Sequence, residues 1–207
     1  MYENNVVRIN GEALTDFIYS HENNGESFYL FNLRIGRRSG IDDIIPVIVS
    51  EKIINVNENC KGKYLEVAGQ FRSHNKKDKE NVRLILAVFA FDVSVVEFLT
   101  ESDENNLITI DGYICKKPIY RVTPNKREIA DVLIAINRSY GKSDYIPCIF
   151  WGRNARFLNK LDIGTRLNLK GRIQSRDYVK RYNDGSEEVK TAYEVSVNWL
   201  EVVSDEE

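Results

Sequence analysis

Cysteine, histidine and methionine are scarce in this chain of 207 residues, at three, two and one. Cys60, Cys115 and Cys148 are far apart and odd in number, and no CxxC occurs. That argues against a disulfide framework or a zinc site, so we expect no cofactor and a reducing, cytoplasmic setting. With His21 and His74 as the only imidazoles, acid–base and metal catalysis have few candidates. HExxH, the P-loop and GxSxG are also missing. The acidic pairs Asp42-Asp43 and Glu187-Glu188 read as solvated charge in loops, and no enzymatic activity is expected. Apolar runs are short, and none reaches the roughly 18 residues of a membrane span. The start, Met1-Tyr2-Glu3-Asn4-Asn5, lacks the basic region and apolar core of a signal peptide, so no membrane association is expected.

What is present is an ordinary globular balance, 43% hydrophobic and 29% charged. The net charge of −2 conceals an asymmetry. Residues 1–103 hold 12 Lys and Arg against 16 Asp and Glu, a net of −4, and residues 104–207 hold 17 against 15, a net of +2. An acidic half is followed by a basic one.

The chain also repeats itself. Asn4-Asn5-Val6-Val7-Arg8-Ile9-Asn10-Gly11 matches Asn105-Asn106-Leu107-Ile108-Thr109-Ile110-Asp111-Gly112 at an offset of 101. The same offset relates Ile35-Gly36-Arg37 to Ile136-Asn137-Arg138 and Ile45-Pro46 to Ile146-Pro147. It then becomes 102, pairing Gly62 with Gly164, Gly69 with Gly171 and Ser73 with Ser175. Two domains follow, 1–99 and 105–203, joined by the acidic linker Leu99-Thr100-Glu101-Ser102-Asp103-Glu104.

Each half reads as strands. Phe28 to Ile35 and Ile129 to Ile136 are apolar or alternating, and Leu65 to Gly69 and Leu167 to Gly171 alternate with period two. Val82 to Val96 and Val189 to Val202 are long strand candidates, and Asp184-Gly185 is a hairpin turn signal. A short helical pattern falls between the third and fourth strands, at Ala155, Leu158 and Leu161 in one half and around Ile53-Ile54 in the other. The order β-β-β-α-β-β predicts an all-β protein of two tandem OB-folds, five-stranded barrels each with a short helix between strands 3 and 4. Such barrels bind oligonucleotides, sugars or proteins, so the fold alone leaves function open.

The second repeat resembles the bacterial single-stranded-DNA-binding protein family over nearly its whole length. The resemblance is carried by Asn106 to Gly112, Thr123-Pro124-Asn125-Lys126-Arg127-Glu128-Ile129-Ala130, Ala135-Ile136-Asn137-Arg138-Ser139-Tyr140, Asp144 to Gly152, Gly164 to Tyr178 and Tyr193-Glu194-Val195-Ser196-Val197. The first repeat resembles it only in its frame: the opening strand to Gly11, Ile45-Pro46, and Gly62 through Ser73. The resemblance implies binding of single-stranded DNA with little sequence preference, in replication, recombination or repair. It places the family's four stacking rings on Tyr140, Tyr145, Trp151 and Tyr178. Arg138, Lys142, Arg153, Lys170, Arg172, Arg176, Lys180 and Arg181 interleave with them. The chemistry suits a single strand: aromatic faces stack on bases and cations release counterions from phosphates. Tyr140 and Tyr178 have polar neighbours, whereas Tyr145 and Trp151 lie in or beside apolar strands, where rings are often core. Trp199 and Phe157 are expected in the core. An assembly or protein-interaction module accessory to replication is the alternative reading.

Three expectations follow from the resemblance. The family pairs OB-folds through the first strand and assembles four, so two per chain imply a homodimer, or else a monomer whose two domains pair within the chain. The acidic end, Ser204-Asp205-Glu206-Glu207, lacks the linker and terminal apolar residue of the family's recruiting tail, so recruitment of partners through a tail is not expected. The second domain is expected to hold the strand: Ser39, Ile44, Ser50 and Lys76 stand where it has Tyr140, Tyr145, Trp151 and Tyr178. In the first domain Phe28, Tyr29 and Phe31 could offer substitute platforms, but a run that dense in a strand reads as core plus a neighbour contact, and Arg34, Arg37, Arg38, Lys76, Lys77 and Lys79 offer electrostatic attraction.

Overall fold

The computed structural model describes residues 4–37, 39–78, 81–99, 105–182 and 184–204, with only the backbone described at 75–78, 81–83 and Tyr140. Arg38, Lys79, most of the linker and Asp205-Glu206-Glu207, on which the tail expectation rests, lie outside the described residues. So do the side chains of Lys76, Lys77 and Tyr140.

The first repeat forms β1 (Asn5–Ala13), β2 (Ile18–Asn23), β3 (Glu26–Gly36), β4 (Asp42–Ser50), β5 (Tyr64–Asp78) and β6 (Asn81–Val96). The second forms β7 (Asn106–Ile114), β8 (Ile119–Val122), β9 (Glu128–Asn137), β10 (Ser143–Trp151), helix α1 (Gly152–Leu158), β11 (Arg166–Arg181) and β12 (Glu187–Val202). Strand order is β2-β3-β4-β6-β5-β1-β7-β11-β12-β10-β9-β8, symmetric about β1–β7. Each repeat closes into a barrel because β1 also pairs with β3, and β7 with β9. The parallel pairs β4–β6 and β10–β12 complete the OB-fold order. Period-two alternation turns Phe31, Leu33, Ile35, Ile45 and Val47 into one barrel and Ile134, Ile136, Ile146, Cys148 and Phe150 into the other.

The glycines shared between the repeats sit where strands cross closely. The β5–β6 register shifts at Ala68/Gly69, and the β11–β12 register at Lys170/Gly171. A Cβ at Gly69 would collide with the Phe89 carbonyl, and one at Gly171 with that of Ser196.

Four expectations are corrected. Of the three rings of β3 expected in the core, Phe31 is buried and Tyr29 packs against the core, but Phe28 has the opposite parity and faces outward. The Ile53-Ile54 segment forms turns instead of a helix. Ser50 Oγ accepts the Lys52 amide, and Asn55 bonds the Asn57 amide and the Glu58 carboxylate, side-chain bonds that compete with helix formation. Ile53 and Ile54 still pack on the core, as Leu161 does in the other repeat. Trp199 and Phe157 are each 43% exposed, not core. The bulge at Lys170/Gly171 resets the alternation of β12, so Val197 is buried and Trp199 faces outward, while Ala155 and Leu158 are the residues α1 buries. Asp43 is fully buried, whereas its neighbour Asp42 is solvated as expected.

The two repeats join within the chain. β1 and β7 pair antiparallel from Asn5↔Ile110 to Ile9↔Asn106, with Val7↔Ile108 at the centre. This uses the first-strand edges that motivated a homodimer. The repeated asparagines seal the joint. Asn5 Nδ2 donates to the Phe71 carbonyl (2.7 Å) and its Oδ1 accepts the Phe71 amide (3.1 Å). Asn106 does the same for Ile173 (2.7 and 2.9 Å). Asn4 donates across to the Asn137 carbonyl, and Asn105 to that of Gly36.

Polar side chains flank that sheet on each side. Arg37 pairs with Asp43 and also donates to the Ser175 carbonyl of the other repeat (3.0 Å). Arg138 pairs with Asp144 and donates to the Ser73 carbonyl (2.9 Å). Two buried carboxylates thus meet cations and amides from both repeats, a fully partnered arrangement of a kind that fixes relative orientation. Among the described residues no helix is long and apolar enough to cross a membrane.

Candidate nucleic-acid interface

Alternation along β10 and β11 builds the candidate site. On β10 the even residues Ile146, Cys148 and Phe150 enter the barrel, which turns Tyr145 and Trp151 outward. On β11 the odd residues Leu169, Gly171 and Ile173 enter the barrel, so Lys170, Arg172, Arg176, Tyr178 and Lys180 line one outward row, in which Gln174 is covered. β12 lies between these strands, and Trp151 bridges it, its Nε1–H donating to Ser196 Oγ (3.2 Å). Tyr145 is 44% exposed, and Trp151 and Tyr178 are each 39% exposed, so these rings are available for stacking. Tyr140 lies in the single 3-10 turn Ser139–Gly141; its side chain is outside the described residues.

The arrangement does not gather every ring at one point. Trp151 opens into a cleft of about 790 Å³ whose lining includes Arg127, Arg172, Arg176 and Tyr193. Its far wall is the first repeat, through Asn32, Ile41 and Ile44. Tyr178 follows Arg176 two residues along the same row, on the arm formed by β11 and β12. Tyr145 is at the other end of β10, six residues from Trp151 and so about 20 Å away along the strand. There its amide donates to Ser73 Oγ of the first repeat (2.8 Å).

The cations fall into four settings. Arg176, Lys142 and Arg153 are exposed, with Arg176 facing the cleft and Arg153 on α1. Lys170 and Lys180 lie over aromatic rings, Lys170 5.3 Å from the centroid of Trp199 and Lys180 4.9 Å from that of Tyr182. Lys190 approaches Tyr182 from the other strand (5.5 Å). Arg138 and Arg172 are partly committed to the junction, Arg172 at 3.2 Å from Asp43. Burial, then the neighbouring Arg37, lowers the Arg172 pKa, with Asp43 opposing; a guanidinium nonetheless stays charged at neutral pH. Arg181 pairs with Glu187. Sequence reasoning missed Arg127, Tyr182 and Trp199. Thr123-Pro124-Asn125-Lys126-Arg127 pointed to Arg127 as part of a motif, without showing that its loop reaches the cleft.

Residues 105–203 match the Single-strand binding protein family. The single-stranded DNA-binding protein of Oceanobacillus iheyensis is 32% identical over 80 residues, 35% of this chain and 50% of that protein. Single-stranded DNA-binding protein A of Bacillus subtilis is 32% identical over 80 residues, covering 35% and 46%. The chain therefore spans about half the length of the curated relatives it matches. Among solved structures, the single-stranded DNA binding protein from Thermus aquaticus superposes with a TM-score of 0.76 at 16% identity, over 98% of this chain and 94% of that one. At that identity the likeness shows the fold, and it extends over both repeats.

Proposed function

We propose that this chain, whose second repeat belongs to the single-strand binding protein family, binds single-stranded DNA with little sequence preference, inside the cell, in replication, recombination or repair. The observation that carries the reading is the outward face that sets Trp151 of β10 with the row Arg172, Arg176 and Tyr178 of β11 beside an open cleft. Rings in that setting stack on any base, and the cations beside them follow the phosphates, which makes binding tolerant of sequence and sensitive to salt.

The second domain, 105–203, is the main binding domain. Tyr145, Trp151 and Tyr178 supply stacking, joined by Tyr140, while Lys142, Arg153, Lys170, Arg176 and Lys180 supply charge. Arg138 and Arg172 act twice, holding the junction and adding positive potential at its edge. The first domain, 1–99, serves assembly and walls the cleft. The binding unit is the chain with its repeats joined at β1–β7. A homodimer of four OB-folds would dock its second copy on other surfaces, and light scattering separates it from a 23.9 kDa monomer.

The test is fluorescence anisotropy with labelled oligo-dT and a duplex of equal length. Tight, salt-dependent binding of the single strand and much weaker binding of the duplex support the reading; equal binding of both rejects it.

A further inference from the structure

We infer that the first repeat carries a second groove for single-stranded nucleic acid, formed by Phe28, His21, Phe89 and Arg72 and completed by Tyr145 from the second repeat. The inference rests on the reading above. It concerns a surface on which sequence alignment finds every stacking ring missing.

The rings have moved to neighbouring strands. In the second repeat Trp151 pairs with Ile129 of β9 and bonds Ser196 of β12. In the first repeat Ser50 takes the place of Trp151 and pairs with Phe28 of β3. The parallel pairs Val47↔Val88 and Ile48↔Phe89 correspond to Cys148↔Val195 and Ile149↔Ser196, so Phe89 takes the place of Ser196. The triplet Ile129–Trp151–Ser196 on one sheet face has become Phe28–Ser50–Phe89, in which Ile129 and Ser50 are themselves buried and one central ring is replaced by two flanking ones. Phe28 shares the outward face of β3 with Leu30 and Asn32, while Phe31 and Leu33 enter the core.

Both rings carry a second planar group. The exposed His21 imidazole stacks on Phe28, with centroids 5.0 Å apart and planes 7° from parallel. The Arg72 guanidinium lies 5.2 Å over the Phe89 ring. Imidazole and guanidinium planes stack on unpaired bases as aromatic rings do.

The joint supplies the remaining wall. Ile44 donates its amide to Ser175 Oγ of the other repeat (3.0 Å), and it lines the cleft beside Trp151. Tyr145, its counterpart in the repeat, makes the same bond to Ser73 Oγ (2.8 Å). By that equivalence Tyr145 stands to the outward face of the first repeat as Ile44 stands to the Trp151 cleft. The other repeat thus contributes an isoleucine to the Trp151 cleft and, in the equivalent place, an aromatic ring to the first repeat. The second groove is less basic. Glu26 stands where Arg127 does, its carboxylate held by Lys52 (2.9 Å) and Ser50. It engages strands long enough to extend beyond the main groove.

The experiment uses the full chain and labelled oligo-dT of about ten and about forty nucleotides, since one OB-fold covers roughly 4–16. The ratio of long-strand to short-strand affinity is compared among the unaltered chain, the double variant His21→Ala with Phe28→Ala, and Trp151→Ala, with thermal melting as the check on folding. The double variant should lower that ratio about tenfold, while Trp151→Ala weakens both strands. An unchanged ratio in the folded variant overturns the second groove and leaves the main reading intact. An unaltered chain that binds neither strand overturns both. If the double variant does not fold, photo-crosslinking of iodouracil-substituted oligo-dT to the unaltered chain decides. Crosslinks at His21, Phe28 or Phe89 support the groove, and crosslinks confined to the second repeat overturn it.

Discussion

Ser73 and Ser175 occupy equivalent positions on opposite sides of the joint between the repeats. Each gives its carbonyl oxygen to an arginine of the other repeat, Arg138 at 2.9 Å and Arg37 at 3.0 Å. Each hydroxyl accepts an amide from the same partner, Tyr145 at 2.8 Å and Ile44 at 3.0 Å. Each amide donates to a buried carboxylate, Asp144 at 2.5 Å and Asp43 at 2.6 Å. The cleft beside Trp151 therefore sits at a fixed joint.

The joint predicts a large stability effect. Asp144→Ala leaves Arg138 without its carboxylate and the Ser73 amide without an acceptor. Loss of one partner from a buried ion pair costs about 3–5 kcal/mol. Thermal denaturation should show a marked fall in Tm, and an unchanged Tm would show that the joint contributes little.

The bulges predict a steric effect. Gly171→Ala forces a methyl against the Ser196 carbonyl next to the Trp151 bond. Overpacking of this kind costs about 1–3 kcal/mol. Urea denaturation should give a lower midpoint with an unchanged slope; a midpoint that stays put would count against the bulge.

The thiols predict a pH dependence. Burial, then the nearby Asp16, pushes the Cys60 thiol up to about 11. Burial raises Cys148 as well, and Glu194 adds to it. Because the thiolate is the reactive form, both should resist Ellman's reagent in the folded chain at pH 8 and react on unfolding. A folded thiol that ionises later than an unfolded one favours the folded state below pH 9, a preference lost as pH rises towards about 11. Rapid modification of Cys60 in the folded chain at pH 8 would contradict this.

Much of this architecture was legible in the sequence. The offset of 101 gave two barrels because glycine and asparagine recur where backbone crossings and edge bonds require them. The reason Arg37 and Arg138 match was not legible, because each acts on the other repeat. Trp199 was misplaced because a one-residue bulge reverses inside and outside along a strand. The short strands β2 and β8 escaped notice because β2 is exposed at every position and neither has a buried face to impose alternation. The loss of a ring at Ser50 was visible, and Phe28 could be raised as a substitute, but its pairing with Ser50 and the place of Phe89 beside them depend on strand register.

Charge at the main groove predicts a salt effect. Arg176→Ala removes a cation facing the cleft. For every phosphate of a single strand that the chain no longer neutralises, the slope of log K against log salt should flatten by about 0.7. An unchanged slope would place Arg176 away from the phosphates.

The central claim is that a single strand stacks on Trp151. Trp199 is also exposed and would add its own emission, so the measurement is made in a Trp199→Phe chain. Titration with oligo-dT at two salt concentrations, read by tryptophan fluorescence, should give saturable quenching that weakens at the higher salt. If binding, confirmed by anisotropy, leaves the emission of Trp151 unchanged, the strand does not pass over this face and the account is contradicted.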